Sequence, residues 1–222
     1  MTDSHLNVHN TATRQVVTAA CVVLFGLIVT TGLRAAHADE LRPPRVPALL
    51  EVEDGNEVFL IGHAAGTQNY VCVPSATAVG GFAFSLFTPQ ATLLDRAGDQ
   101  LTTHFFSPNN DPHATPPEAG AIRATWEDSD DTSRVWGFIA QQSSDARYVR
   151  PDAIPWLLVQ KSGVAAGPTG GRHLAKTTFI QRVNTVGGQA PPSGCRTIAD
   201  VGVRAFVPYA ADYVFYRRAH DR

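Results

Sequence analysis

Three polar side chains sit on strands that otherwise read as apolar: Gln68 with Tyr70 on one face of Thr67-Gln68-Asn69-Tyr70, His104 in Thr102-Thr103-His104-Phe105-Phe106, and Gln181 between Phe179 and Val183. A buried amide or imidazole costs a few kcal/mol unless it is hydrogen-bonded. Two readings follow. The groups bond to one another or to irregular backbone and pin register across the sheets. Or they line a concave pocket with Trp126, Trp136 or Trp156, because ligand sites are mostly apolar with a few convergent polar groups. On the second reading the candidate ligand-binding residues are Gln68, His104, Trp126 and Gln181, pointing into one cavity.

Other chemistries find less support. His63, His104, His113, His173 and His220 form neither H-x-H nor H-E-x-x-H, so no metal site or cofactor is expected. No G-x-S-x-G marks a nucleophilic serine. Ser133 follows an acidic run and reads as a turn serine bonding its own backbone. Gly167-Pro168-Thr169-Gly170-Gly171-Arg172 lacks the Lys-Ser/Thr of a phosphate loop. Glu127, Asp128, Asp130 and Asp131 crowd one turn, where a solvated acidic loop or a weak calcium site fits better than a glycosidase pair; they lack the EF-hand spacing. No catalytic residue is assigned.

The elements that must position these residues are short strands with turn punctuation, over 57–61, 67–73, 82–87, 91–94, 100–106, 122–126, 134–141, 156–160, 177–185, 203–207 and 209–216. About ten strands with little helix predict an all-β, antiparallel β-sandwich or barrel-like sandwich. Gly98 in Asp95-Arg96-Ala97-Gly98-Asp99 is placed for positive φ in a hairpin. Residues 144–148 and 197–201 suit single helical turns. Residues 107–120, with four prolines, and the glycine-rich 162–173 read as the longer loops.

Residues 16–33 are an apolar run followed by Arg34-Ala35-Ala36-His37-Ala38, the pattern of a signal peptide over 1–38, cut after Ala38. The alternative is an uncleaved membrane anchor, the run being near the lower limit for a span. A proline-rich arm is expected over 39–56, one all-β domain over 57–217 and a tail over 218–222. The expected location is exported, periplasmic or extracellular, without stable membrane insertion. Losing Arg14, Arg34 and Asp3 with the leader leaves 16 basic and 19 acidic residues, a net charge of −3 with no basic patch, which argues against nucleic acid as a partner. The mature chain keeps Cys72 and Cys195, which in an oxidising compartment most simply form one disulfide; the alternative is two free thiols.

Several segments taken in order, Gly66-Thr67-Gln68-Asn69-Tyr70-Val71-Cys72, Pro89-Gln90-Ala91-Thr92-Leu93, Thr103-His104-Phe105, Ala124-Thr125-Trp126, Ala153-Ile154-Pro155-Trp156-Leu157-Leu158, Thr178-Phe179-Ile180-Gln181-Arg182-Val183-Asn184-Thr185 and Val207-Pro208-Tyr209-Ala210-Ala211-Asp212-Tyr213, resemble the secreted family called domain of unknown function 3455. The likeness spans about 46–216. It implies a Cys72–Cys195 pair and supplies no activity. Some members carry the name malate dehydrogenase, which nothing in this chain supports: no dinucleotide fingerprint or βαβ alternation is present. The expected function is a non-catalytic binding module for a small molecule or cell-surface glycan. The alternatives are a secreted hydrolase with a non-motif site, or a structural or interaction protein of the cell surface.

Overall fold

The computed structural model describes residues 41–220. The leader expected over 1–38, with its cleavage point, lies outside them. Eight strands run in chain order: β1 (Asn56–Pro74), β2 (Phe82–Leu94), β3 (Gln100–Pro108), β4 (Ile122–Asp128), β5 (Arg134–Ser143), β6 (Trp156–Ala165), β7 (Thr177–Gly187) and β8 (Arg204–Arg218). Each pairs antiparallel with the next, and β8 pairs back onto β1, so the sheet closes into an up-and-down barrel. Closure leaves no sheet edge along that seam. Three short 3-10 turns, Ala48–Leu50, Leu174–Lys176 and Ile198–Asp200, are the only helical elements among the described residues.

Eight strands stand where the punctuation suggested more, because three breaks are not breaks. Gly62 and Gly66 are strand residues of β1 rather than a turn. A Cβ at Gly66 would collide with the Gln90 carbonyl and Ala91, so the glycine lets β1 and β2 approach closely. Pro89 and Pro208 each lie in a strand that continues through them. Pairing of β2 with β3 begins only at Ala91, and pairing of β8 with β7 reaches only to Tyr209. Each proline therefore stands where one neighbour is missing, and its absent N–H leaves no ladder bond unmade on that side. Beside Pro89, the Thr88 hydroxyl accepts from the Phe106 N–H at 3.1 Å. The turn at Gly98 has φ 93°, in the left-handed region.

Alternation sorts the side chains into two apolar layers. The inner layer includes Leu93, Trp126, Val135, Ile180, Tyr213 and Phe215, with Leu174 of the β6–β7 connection packed into it. The outer layer, Val149, Trp156, Leu158, Val183, Val214 and Tyr216, is covered by Leu50 and Val46 of the segment preceding β1. The proline-rich segment before β1 thus packs on the outer wall, and Leu50 is fully buried. Trp136 also belongs to the outer wall, where its indole N–H donates to Ser107 Oγ at 2.9 Å. The loop over 109–121 folds back on that wall: the Asn109 amide donates to the Ser162 carbonyl, and Gly163 leaves it room.

The Cys72–Cys195 disulfide, Cα to Cα 5.4 Å, ties the end of β1 to the connection between β7 and β8. Backbone bonds flank it, Cys72 N–H to Val203 O at 2.8 Å and Gly202 N–H to Cys72 O at 2.9 Å.

Candidate functional site

Eight strands enclose an interior just wide enough for packed side chains or one small ligand. This barrel is packed in one half and hollow in the other. The half nearest the β2–β3, β4–β5 and β6–β7 connections is filled by the inner layer. The other half keeps a cavity of about 200 Å³, lined among others by Gln68, Tyr70, His104, Trp126, Arg182 and Tyr213. Leu86 and Ile139 also line it and are 38% and 55% exposed, so they form an apolar rim where the cavity meets solvent.

Register places each group. His104 on β3 is directly opposite Trp126 on β4, and on its other side faces Ala91 of β2. The alanine leaves room for the two large rings, which stack at 4.3 Å between centroids with planes 9° apart. Tyr213 closes on both, 5.1 Å from His104 and 5.5 Å from Trp126, edge-on to the indole. These three rings make one aromatic wall. Gln68 lies opposite Pro89 on one side and Val207 on the other. Arg182 on β7 lies between Leu157 of β6 and Tyr213 of β8.

The electrostatics follow from burial. The His104 Nδ1 is 2.9 Å from the Thr125 carbonyl and must donate to it. Burial, with Arg182 nearby, pushes the imidazole down to about 3 against that bond, so the ring is neutral at physiological pH and Nε2 is its acceptor. Burial raises Tyr70, Tyr209 and Tyr213, with the Arg182 guanidinium opposing the rise in each case, so all three phenols stay protonated. The Tyr70 hydroxyl donates to Gly188 O at 2.6 Å, and those of Tyr209 and Tyr213 meet at 3.2 Å.

Gln68 Nε2 and Trp126 Nε1 are buried donors with no close acceptor, Gln68 lying against the Tyr209 hydroxyl, and neither atom is exposed to the cavity. Their residues are 2% and 1% exposed. Arg182 donates through Nε and Nη2 to the Pro155 carbonyl at 3.3 and 2.9 Å. No carboxylate among the described residues pairs with it.

Of the four residues expected to converge, Gln68, His104 and Trp126 do so, and Gln181 does not. Its neighbour Arg182 takes the inward position, so Gln181 faces the outer layer opposite Leu158 and Val214. There it is 1% exposed and fully used: its amide donates to Leu50 O at 2.7 Å and its carbonyl accepts from the Tyr216 hydroxyl at 2.6 Å. It is a clasp for the segment over β7 and β8. Of the tryptophans, only Trp126 reaches the interior cavity. Arg182 and Tyr213 were missed as site residues, although the alternation Tyr209, Ala211, Tyr213, Phe215 put Tyr213 on one face of its strand.

The other polar groups weighed from the sequence lie away from the cavity. Ser133 is fully buried and its hydroxyl accepts from the Leu174 N–H at 3.0 Å. Asp128 holds the Asp130 and Asp131 amides through Oδ1 and His173 Nδ1, at 2.7 Å, through Oδ2. Asp131 accepts from the Ser133 and His173 amides. The acidic turn is thus organised around its own backbone. His63 pairs with Asp212 at 2.7 Å on the outer wall, where Asn184 also bonds that carboxylate.

No curated protein and no solved structure matches the chain. A family model described as protein of unknown function (DUF3455) matches residues 53–217, which spans all eight strands but the last residue of β8. The ordered segments, the paired cysteines and this match over most of the chain agree: the protein is a member of the DUF3455 family.

Proposed function

We propose that the protein is a binding module that holds one small molecule inside the barrel, without catalysis. The observation that carries this is the cavity of about 200 Å³ that the barrel keeps beside the stacked His104–Trp126 pair and the Arg182 guanidinium. The volume favours a small molecule over a glycan chain: an apolar cavity of about 150 Å³ accommodates benzene. The aromatic wall and apolar rim favour a ligand with a flat or aliphatic body.

A thermal-shift screen of neutral and charged small molecules tests this. A ligand held at 100 times its dissociation constant adds about 2.7 kcal/mol of stability. The variant Ala124→Phe, which fills the cavity from β4, should abolish every hit. A flat screen, or hits untouched by the filling variant, would sink the proposal.

We also infer that the protein is exported. The leader pattern over 1–38 and the disulfide support this. N-terminal sequencing of protein from the producing cell should begin at Asp39; a chain retaining residues 1–38 would refute cleavage.

A further inference from the structure

We infer that the ligand of the barrel is a small organic carboxylate, its anionic end held by Arg182. This deepens the binding reading above and rests on it. The cavity is lined by one cation and no acidic residue: Arg182 is there, and neither aspartate nor glutamate is. Its imidazole is neutral and its phenols protonated, so Arg182 is the only formal charge on the lining. A half-buried guanidinium without a carboxylate partner is a charge taken partly out of water, offset here by neutral acceptors alone, the Pro155 carbonyl and the Tyr213 hydroxyl. Pro155 O accounts for two of its contacts, through Nε and Nη2. A guanidinium has five N–H donors, and the fork geometry suits a planar two-oxygen acceptor.

An ammonium end would set a like charge against the Arg182 guanidinium, and a neutral amide would leave that charge uncancelled. A carboxylate brings two oxygens able to accept several hydrogen bonds and cancels the charge. The body of the ligand then lies against the His104–Trp126 wall, and the volume limits it to the size of a substituted benzene or a short fatty chain.

The experiment titrates the purified protein with benzoate, phenylacetate and hexanoate, and with the matching amides, read by Trp126 fluorescence and by ligand-observed NMR. At least one acid should bind ten times or more tighter than its amide. Arg182→Gln should bring the acid's affinity down to that of its amide in the same variant. Because Arg182 also holds the Pro155 carbonyl, Arg182→Lys is run alongside: it keeps the charge, loses the planar fork, and should retain a reduced preference for acids. Amides binding as tightly as acids would overturn the carboxylate inference and leave the binding module standing. Acids and amides all failing to bind would overturn the inference too, and the broader screen above then decides the binding reading separately. A preference for acids that survives Arg182→Gln would overturn the assignment of Arg182.

Discussion

The sharpest energetic consequence of the site is acid lability set by one residue. His104 is fully buried with its pKa pushed down to about 3, mainly by desolvation and against the bond to Thr125 O. Unfolded, the same imidazole titrates at about 6.5. The unfolded chain therefore binds a proton that the folded chain refuses wherever pH lies between those values, and stability falls as pH falls through that window. At 1.36 kcal/mol per unit, lowering pH from about 7.5 to about 5 removes roughly 2 kcal/mol, and continuing to about pH 3 removes roughly 4 in all. The carboxylates held low by their partners, Asp131, Asp145, Asp200 and Glu118, have the same sign but act only in the lower carboxylate range. The interval from about pH 7.5 to about pH 5 thus isolates histidine. Urea unfolding of wild type and His104→Asn at both pH values is the assay. Asparagine can still donate to Thr125 O and does not titrate, so the wild type should lose about 2 kcal/mol more than the variant across the interval. The comparison is of slopes, because the variant is less stable at every pH. Parallel falls in the two proteins would refute the buried neutral imidazole.

Two further outcomes are expected. Gln181→Leu strands the Leu50 carbonyl and the Tyr216 hydroxyl, costing about 2–4 kcal/mol in urea unfolding, with ligand affinity unchanged. Adding Tyr216→Phe to that variant should cost little more, since it removes one stranded group; fully additive losses would show that the clasp is not a unit. Replacing Cys72 and Cys195 by serine opens a loop with sequence separation 123, for which chain entropy gives a loss of about 5 kcal/mol. The same midpoint in urea with and without reductant would contradict that.

The sequence carried the strand content because the barrel's alternation is regular where it is paired on both sides, as in Tyr209, Ala211, Tyr213 and Phe215. It carried the disulfide because only two cysteines, Cys72 and Cys195, lie beyond residue 38. It overcounted strands at Gly62–Gly66, Pro89 and Pro208, since glycine and proline are turn residues locally and only the absent neighbour or the close approach of β2 licenses them in a strand. Parity at β7 was illegible for a related reason. Both faces of Phe179-Ile180-Gln181-Arg182-Val183 meet apolar layers, one inside the barrel and one beneath the segment preceding β1, so hydrophobic alternation does not say which face is inward. Gln181 looked like the anomaly because it lies between apolar residues, and Arg182 beside it drew no reading. The closed sheet assigns them the other way round. Gln68, His104 and Trp126 were legible because their strands carry polar groups on a face that covering segments do not reach.

The seam between β1 and β8 also governs how the chain can fold. Its pairs run from Asn56 with Arg218 to Val71 with Arg204, so the first strand to leave the ribosome meets its last neighbour only when almost the whole domain has been made. Hairpins β1–β2 through β7–β8 can form locally and early. The cavity cannot, because Gln68 on β1 and Tyr213 on β8 face the same interior only once the ring is complete. Pairings of such sequence separation are slow and expose unpaired strand edges until they close. Cys72 and Cys195 sit beside this seam, and an oxidant reaching them before closure would hold its two ends near each other. Synthesis therefore ends with the step that creates the binding site, and a chain truncated before Arg204 has seven strands, two raw edges and no pocket.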